Sequence, residues 1–115
     1  KRAEVRGILQ KERVAKELGL VEELFKEISK DNLAAYGLKE VKEAVNSGAV
    51  AMLMVTDSLI QKSRQDDKYQ EIEELMKVTA QIKGEVFIIS SDNEAGKKLD
   101  GLGGIGAILR YKVNY

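Results

Sequence analysis

The stretch Val50-Ala51-Met52-Leu53-Met54-Val55-Thr56-Asp57 decides the fold. No polar residue alternates with its apolar ones, so the pattern predicts a strand that is covered on both faces. The run is short for a helix, and the β-branched Val50 and Val55 favour a strand. Asp57 is expected to cap the helix that follows by accepting from its free N–H groups. A strand buried on both faces needs helices on both sides, so this stretch predicts a layered α/β domain.

The composition limits the chemistry available to the chain. Its 115 residues contain no Cys and no His, which excludes disulfides, the usual zinc ligand sets and Ser-His or Cys-His nucleophile pairs. Apolar residues make up 43% of the sequence, which is enough for one globular domain. Lys and Arg number 19, as do Asp and Glu, so the chain as a whole has no electrostatic attraction for nucleic acid. No apolar run reaches the ~18 residues of a membrane-spanning helix.

Apolar spacing predicts the other elements. Between residues 12 and 30 the apolar residues recur at helical spacing, and Gly19 in their middle predicts a kink or a close contact. The charged residues of this helix, Glu17 among them, are assigned to its solvent side. The same reasoning predicts an extended segment over residues 33–37, helices over 38–47, 70–82 and 94–99, and strands over 86–89 and 105–113.

Four stretches lead to more specific expectations. Residues 86–89 are a second continuous apolar strand. Residues 105–113 alternate between two faces, which is typical of a half-exposed strand near a sheet edge. Residues 61–69 are the most polar part of the chain and are predicted to form a surface loop. Gly7 interrupts residues 1–10, which are interpreted as the tail of a preceding unit.

The motifs typical of catalysis or cofactor binding are incomplete here or lie between the wrong secondary-structure elements. Residues 101–106 match the pattern GxGxxG, but they are predicted to follow a helix and precede a strand, the reverse of the dinucleotide-binding order. The P-loop pattern is rejected because Ser91 and Lys98 stand where it needs a glycine and a hydroxyl residue. Asp92 and Glu94 suit a helix cap better than a cation site. We therefore predict no catalytic, cofactor or metal residues here, and a surface that binds another macromolecule.

A set of short motifs, taken in order, resembles one family. They are Ala35-Tyr36-Gly37, residues 41–44, Gly48-Ala49-Val50, Thr56-Asp57, Gly84-Glu85-Val86, Ser90-Ser91, Gly96, Leu102-Gly103-Gly104-Ile105 and residues 107–111. Their order and spacing resemble the C-terminal domain of Pelota, the ribosome-rescue paralogue of the class-1 release factor, and the archaeal form fits best. The resemblance predicts that residues 11–115 form this domain and that residues 1–10 are the end of the central domain.

The resemblance implies a fold and a role. The implied fold is a three-layer α/β/α sandwich with a mixed central sheet, similar to the ribosomal proteins that bind kink-turn RNA. The implied role is recognition of stalled ribosomes in mRNA surveillance, in the cytoplasm. The domain would contact the ribosome, an elongation-factor-like GTPase and an ABC-type ATPase that splits the subunits. An endonuclease activity ascribed to the family belongs to an N-terminal domain outside this sequence. No cofactor is implied for these residues, although a divalent cation is compatible with the full-length family.

Two alternatives remain open at this point. The C-terminal domain of a class-1 release factor shares the core, but it typically carries an insertion that residues 84–111 lack. A kink-turn RNA-binding module would need an Asn where Lys39 stands. The residues predicted to meet a partner are those expected at exposed element ends, namely Lys39, Lys42, Asn93, Glu94 and Lys97.

Overall fold

A computed structural model describes residues 2–30 and 33–111, with side chains over 14–30 and 33–111. Helices and strands alternate through most of these residues. In chain order they are α1 (Arg2–Ser29), β1 (Ala34–Tyr36), α2 (Leu38–Asn46), β2 (Val50–Thr56), α3 (Asp57–Gln65), α4 (Tyr69–Gln81), β3 (Glu85–Ile89), α5 (Glu94–Asp100) and β4 (Ile105–Leu109).

The four strands form one mixed sheet in the order β1-β4-β2-β3. Strand β2 pairs in parallel with β3 and antiparallel with β4, and β4 also pairs antiparallel with β1. Strands β1, β2 and β3 therefore all run in the same direction. Their carboxyl ends meet at one edge of the sheet, where β4 begins.

Helices cover both faces of this sheet, which confirms the predicted layered α/β architecture. Helices α2, α3 and α4 pack on one face around a cluster that includes Leu53 and Val55 of β2. Helices α1 and α5 pack on the other face around a cluster that includes Met54. All three side chains are 0% exposed, so the prediction that β2 is buried on both faces is confirmed.

The prediction that β4 lies near a sheet edge was wrong. Strand β4 lies between β1 and β2, and β3 is an edge strand whose Ile88 is 47% exposed. The alternating pattern of β4 was interpreted as one buried and one exposed face, and Gly106 was assigned to the exposed face. A Cβ at Gly106 would lie 2.5 Å from Cδ2 of Leu24, so α1 packs directly onto this face of the strand.

Two helices are longer than their patterns predicted. Helix α1 runs through Gly7, and Gly19 meets open space where a kink or a close contact was expected. Helix α3 continues to Gln65, which reduces the predicted loop to three residues. Although its sequence is polar, Ile60 and Ser63 lie on one face of the helix and are buried. The basic residues in its last turn interact favourably with the negative end of the helix dipole. The boundary predicted between residues 10 and 11 stays a prediction.

Candidate functional site

The candidate site is the edge of the sheet where β1, β2 and β3 end and β4 begins, which we call the carboxyl edge. Helices α2, α3 and α5 each begin there, directly after a strand or a short turn. Backbone hydrogen bonds join the strands at this edge. Gly37 N–H donates to the Ile105 carbonyl at 3.0 Å, and Thr56 N–H donates to the Gly104 carbonyl at 2.9 Å. Ligand sites in layered α/β folds commonly lie outside the carboxyl ends of the strands.

Thr56 caps α3, in place of the predicted Asp57. Its Oγ1 accepts from Leu59 N–H at 3.2 Å and donates to Oδ1 of Asp100 at 2.7 Å, and the residue is 0% exposed. The backbone of Thr56 is extended, as a cap requires, whereas Asp57 is already the first residue of the helix. One hydroxyl therefore fixes the start of α3 and the end of α5.

Asp57 has a different role, in the neighbouring turn between β3 and α5. Its Oδ1 accepts from Ser91 N–H at 2.9 Å. This hydrogen bond is the main cause that lowers the pKa of Asp57 from its usual value of 3.8, against a smaller opposing effect of burial. The carboxylate therefore joins α3 to the turn at residues 90–93.

Glu17 approaches the same turn from the opposite layer, and its assignment to the solvent side was wrong. The side chain is only 5% exposed, and its Oε1 accepts from Ser90 N–H at 3.1 Å and from Nδ2 of Asn93 at 3.3 Å. A signal for this burial exists in the sequence. Glu17 lies four residues before Val21 and seven before Leu24, which places it on the apolar stripe of α1.

An open groove of about 240 Å³ lies between the start of α3 and the bend that leads from α5 into β4. Gly104 allows this close approach, since a Cβ there would lie 2.9 Å from Cβ of Leu59 and its φ is +83°. The glycine-rich stretch is thus a tight helix-to-strand bend, as predicted. The groove is lined by Ser58, Leu59, Lys62, Asp100, Gly103 and Gly104.

The structure distributes the five predicted partner residues over both layers. Lys39 and Lys42 belong to α2 on one face of the sheet, and Asn93, Glu94 and Lys97 lie at or near the start of α5 on the other. Their assignment to a partner interface stays a prediction.

Their surroundings differ. Lys39, Lys42 and Lys97 are all exposed, and Nζ of Lys42 also pairs with Glu71 of α4 at 3.1 Å. Oδ1 of Asn93 accepts from Gly96 N–H at 3.0 Å and caps α5, so this side chain holds the edge together internally. Sequence reasoning did not identify the groove or the bond from Asn93 Nδ2 to Glu17, because both depend on which elements become neighbours.

Other kinds of site are not supported by the part of the chain that the structure describes. Among the side chains that the structure describes, over residues 14–30 and 33–111, there is no group of three or more acidic residues placed to hold a metal ion. Over residues 2–30 and 33–111, no helix combines the length and apolarity that crossing a bilayer requires. The polar side chains of Thr56, Asp57 and Asn93 bond to neighbouring backbone or side-chain groups, so they hold the backbone of this edge in place.

Comparison with known proteins identifies the relatives of this domain. The family model described as eRF1 domain 3 matches residues 14–113. The chain is 45% identical over 113 residues to the protein pelota homolog of Pyrococcus furiosus, which covers 98% of this chain and 31% of the relative. The chain therefore spans about a third of the length of this curated relative.

Solved structures agree on the fold. The crystal structure of Archaeoglobus fulgidus Pelota superposes with a TM-score of 0.93 at 36% identity, over all of this chain and 35% of that one. A model of ribosome-bound archaeal Pelota and ABCE1 gives 0.81 at 46% identity, over 99% and 31%. Dom34 of S. cerevisiae, described as a termination-like factor that interacts with Hbs1, gives 0.83 at 32% identity, over 91% and 30%. The chain belongs to the eRF1 domain 3 family and corresponds to the C-terminal domain of archaeal Pelota.

Proposed function

We propose that this chain is the protein-docking domain of a ribosome-rescue factor. The observation that carries the proposal is the match, over nearly the whole chain, to an archaeal Pelota described as bound to the ribosome together with ABCE1. The match to Dom34, described as interacting with Hbs1, adds a second partner class. By this analogy the domain contacts an elongation-factor-like GTPase and an ABC-type ribosome-recycling ATPase, on cytoplasmic ribosomes that have stalled. It acts by shape and surface contacts and carries out no catalytic step itself.

The carboxyl edge is the surface that we propose for docking. It offers a groove and exposed side chains from both layers on a backbone that is fixed by Glu17, Thr56 and Asp57. Rigid presentation lowers the entropy lost on binding, so a pre-organised edge binds more tightly than a flexible loop of the same composition.

Calorimetric titration with the cognate GTPase and ATPase tests both parts of the proposal. Lys39→Glu probes the α2 layer and Lys97→Glu probes the α5 layer, and each reverses an exposed charge. Lys77→Glu makes the same change on the exposed side of α4 and is the matched control. We expect at least one of the first two variants to weaken one partner by roughly tenfold, while Lys77→Glu stays within about twofold.

The outcomes separate docking from its location. Wild-type chain that binds neither partner, even as part of the full-length protein, would contradict the docking function. Binding that all three variants leave within twofold would retain docking and reject the carboxyl edge as its site.

RNA binding of the kink-turn type is the alternative of a different class. The chain disfavours it, because its net charge is zero and Lys39 stands where such a module would need an Asn. Titration with a kink-turn RNA at two salt concentrations checks this: weak binding at both is expected, and tight binding that falls steeply with salt would favour the RNA module.

A further inference from the structure

The turn that follows β3 is held from both layers of the domain at once. Ser90 N–H donates to the carboxylate of Glu17 in α1 at 3.1 Å. The next amide, Ser91 N–H, donates to the carboxylate of Asp57 in α3 at 2.9 Å. Helix α1 packs on one face of the sheet and α3 on the other. Two consecutive amides thus join two helices that are otherwise separated by the sheet.

Burial shows that the Glu17 bond is more than a surface contact. A carboxylate that is only 5% exposed is costly to desolvate unless donors compensate it, and an apolar side chain would pack here without that cost. The cap of α5 does not depend on it, because Oδ1 of Asn93 bonds to Gly96 N–H directly. What the buried carboxylate does provide is a connection from α1 to the turn.

The connection extends to the groove. Asp57 is the first residue of α3, and the preceding Thr56 bonds to Asp100 beside the groove. Hydrogen bonds, joined by the chain between Ser90 and Ser91 and between Asp57 and Thr56, therefore link the middle of α1 to Asp100 at the groove.

We propose that the Ser90–Ser91 turn is a two-sided clasp in which Glu17 and Asp57 act as one unit, so that losing either carboxylate releases the turn from both layers. Both amides belong to adjacent peptide units, and one rotation of the turn lengthens both bonds together. Release would free α1, a helix of 28 residues and about 42 Å, to change its tilt against the sheet. The clasp is a property of the folded chain alone and holds whether or not the edge docks a partner.

Hydrogen exchange of the two amides tests the coupling. Glu17→Ala removes one carboxylate and Asp57→Ala removes the other. If the clasp is one unit, each variant speeds exchange at both Ser90 and Ser91 by about tenfold or more. If each variant speeds exchange only at the amide it contacts directly, the proposal is wrong.

Conservative variants and controls separate release of the clasp from general unfolding. Glu17→Gln and Asp57→Asn keep an accepting oxygen, so we expect them to restore most of the protection at both amides. Glu23→Ala, on the exposed side of α1, should leave both amides unchanged, and the core amide of Leu53 should stay protected in every variant. Should the alanine variants expose Leu53 as well, the Gln and Asn variants decide: a smaller rise at both amides supports the clasp, and a rise at one alone contradicts it.

Helix α1 provides an independent readout. The sequence has no Cys, so single cysteines placed at Glu23 in α1 and Lys77 in α4 carry spin labels at unique sites. We expect Asp57→Ala, which changes no atom that contacts α1 in this network, to broaden the measured label-to-label distance distribution as much as Glu17→Ala does. A distribution for Asp57→Ala identical to that of the parent protein would overturn the proposal.

Discussion

Strands β2 and β3 are both continuous apolar runs in the sequence, yet they occupy opposite environments. Between its two neighbours in the sheet, β2 has Leu53, Met54 and Val55 at 0% exposure. At the edge, β3 has one neighbour, and its Ile88 is 47% exposed. The difference shows that an apolar run predicts a strand, whereas the strand's neighbours are decided by the rest of the chain.

The largest expected effect separates the two strands directly. Leu53→Ala creates a cavity in the buried core and should lower the free energy of unfolding by about 2–5 kcal/mol. Ile88→Ala removes a half-exposed side chain and should lower it by less than about 1 kcal/mol. Urea unfolding of both variants measures the difference. Equal losses would mean that β3 is as enclosed as β2.

A second prediction concerns the turn that follows β3. A Cβ at Gly96 would lie 1.9 Å from the Ser90 carbonyl oxygen, so Gly96→Ala must displace backbone and should destabilise the fold by about 1–3 kcal/mol. Gly19→Ala is the matched change in open space on α1, and it should stabilise the protein by roughly 0.5–1 kcal/mol. Thermal unfolding reports both, and the shifts in Tm should have opposite signs.

The caps that follow β2 and β3 give a third and smaller contrast. Thr56→Ala removes a fully buried hydroxyl that bonds to both α3 and Asp100, and we expect a loss of about 1–2 kcal/mol. Thr56→Ser keeps the hydroxyl and should recover more than half of that loss. Asn93→Ala, at the less buried cap of α5, should cost about 1 kcal/mol. A larger loss for Asn93 than for Thr56 in chemical denaturation would reverse the expected order.

The fourth prediction concerns how the stability contributed by the hydrogen bond between Asp57, after β2, and Ser91, after β3, depends on pH. Because the pKa of Asp57 is lowered in the folded protein, its bond to Ser91 adds stability that is fully present above the usual pKa of 3.8. That stability disappears as the pH falls through the lower folded pKa. The stability difference between the parent protein and Asp57→Asn should therefore be constant from pH 5 to 7 and shrink below pH 3.8. A difference that grows with acid would contradict the assignment of this bond.

The sequence predicted the elements well and their arrangement less well. Local spacing and the apolar run of β2 fix the helices, the strands and the need for two helical layers. The central position of β4 could not be predicted, because the face that carries Gly106 is covered by Leu24 of α1, a contact between elements far apart in the sequence. The same holds for the candidate site. Predicting Lys39 and Lys97 as exposed needed only the helix pattern, and the same pattern places Glu17 on the apolar stripe of α1. The group that Glu17 bonds to could not be predicted, because Ser90 is 73 residues away in the chain.

Site-specific crosslinking tests the central claim, docking through the carboxyl edge, most directly. Because the chain lacks Cys, Asp92→Cys places one crosslinker on the exposed turn at this edge, and Gln81→Cys places one at the end of α4 that leads into the opposite end of the sheet. With the GTPase or the recycling ATPase present, we predict a crosslinked product from Asp92→Cys and little or none from Gln81→Cys. Efficient crosslinking from Gln81→Cys, with none from Asp92→Cys, would contradict this account.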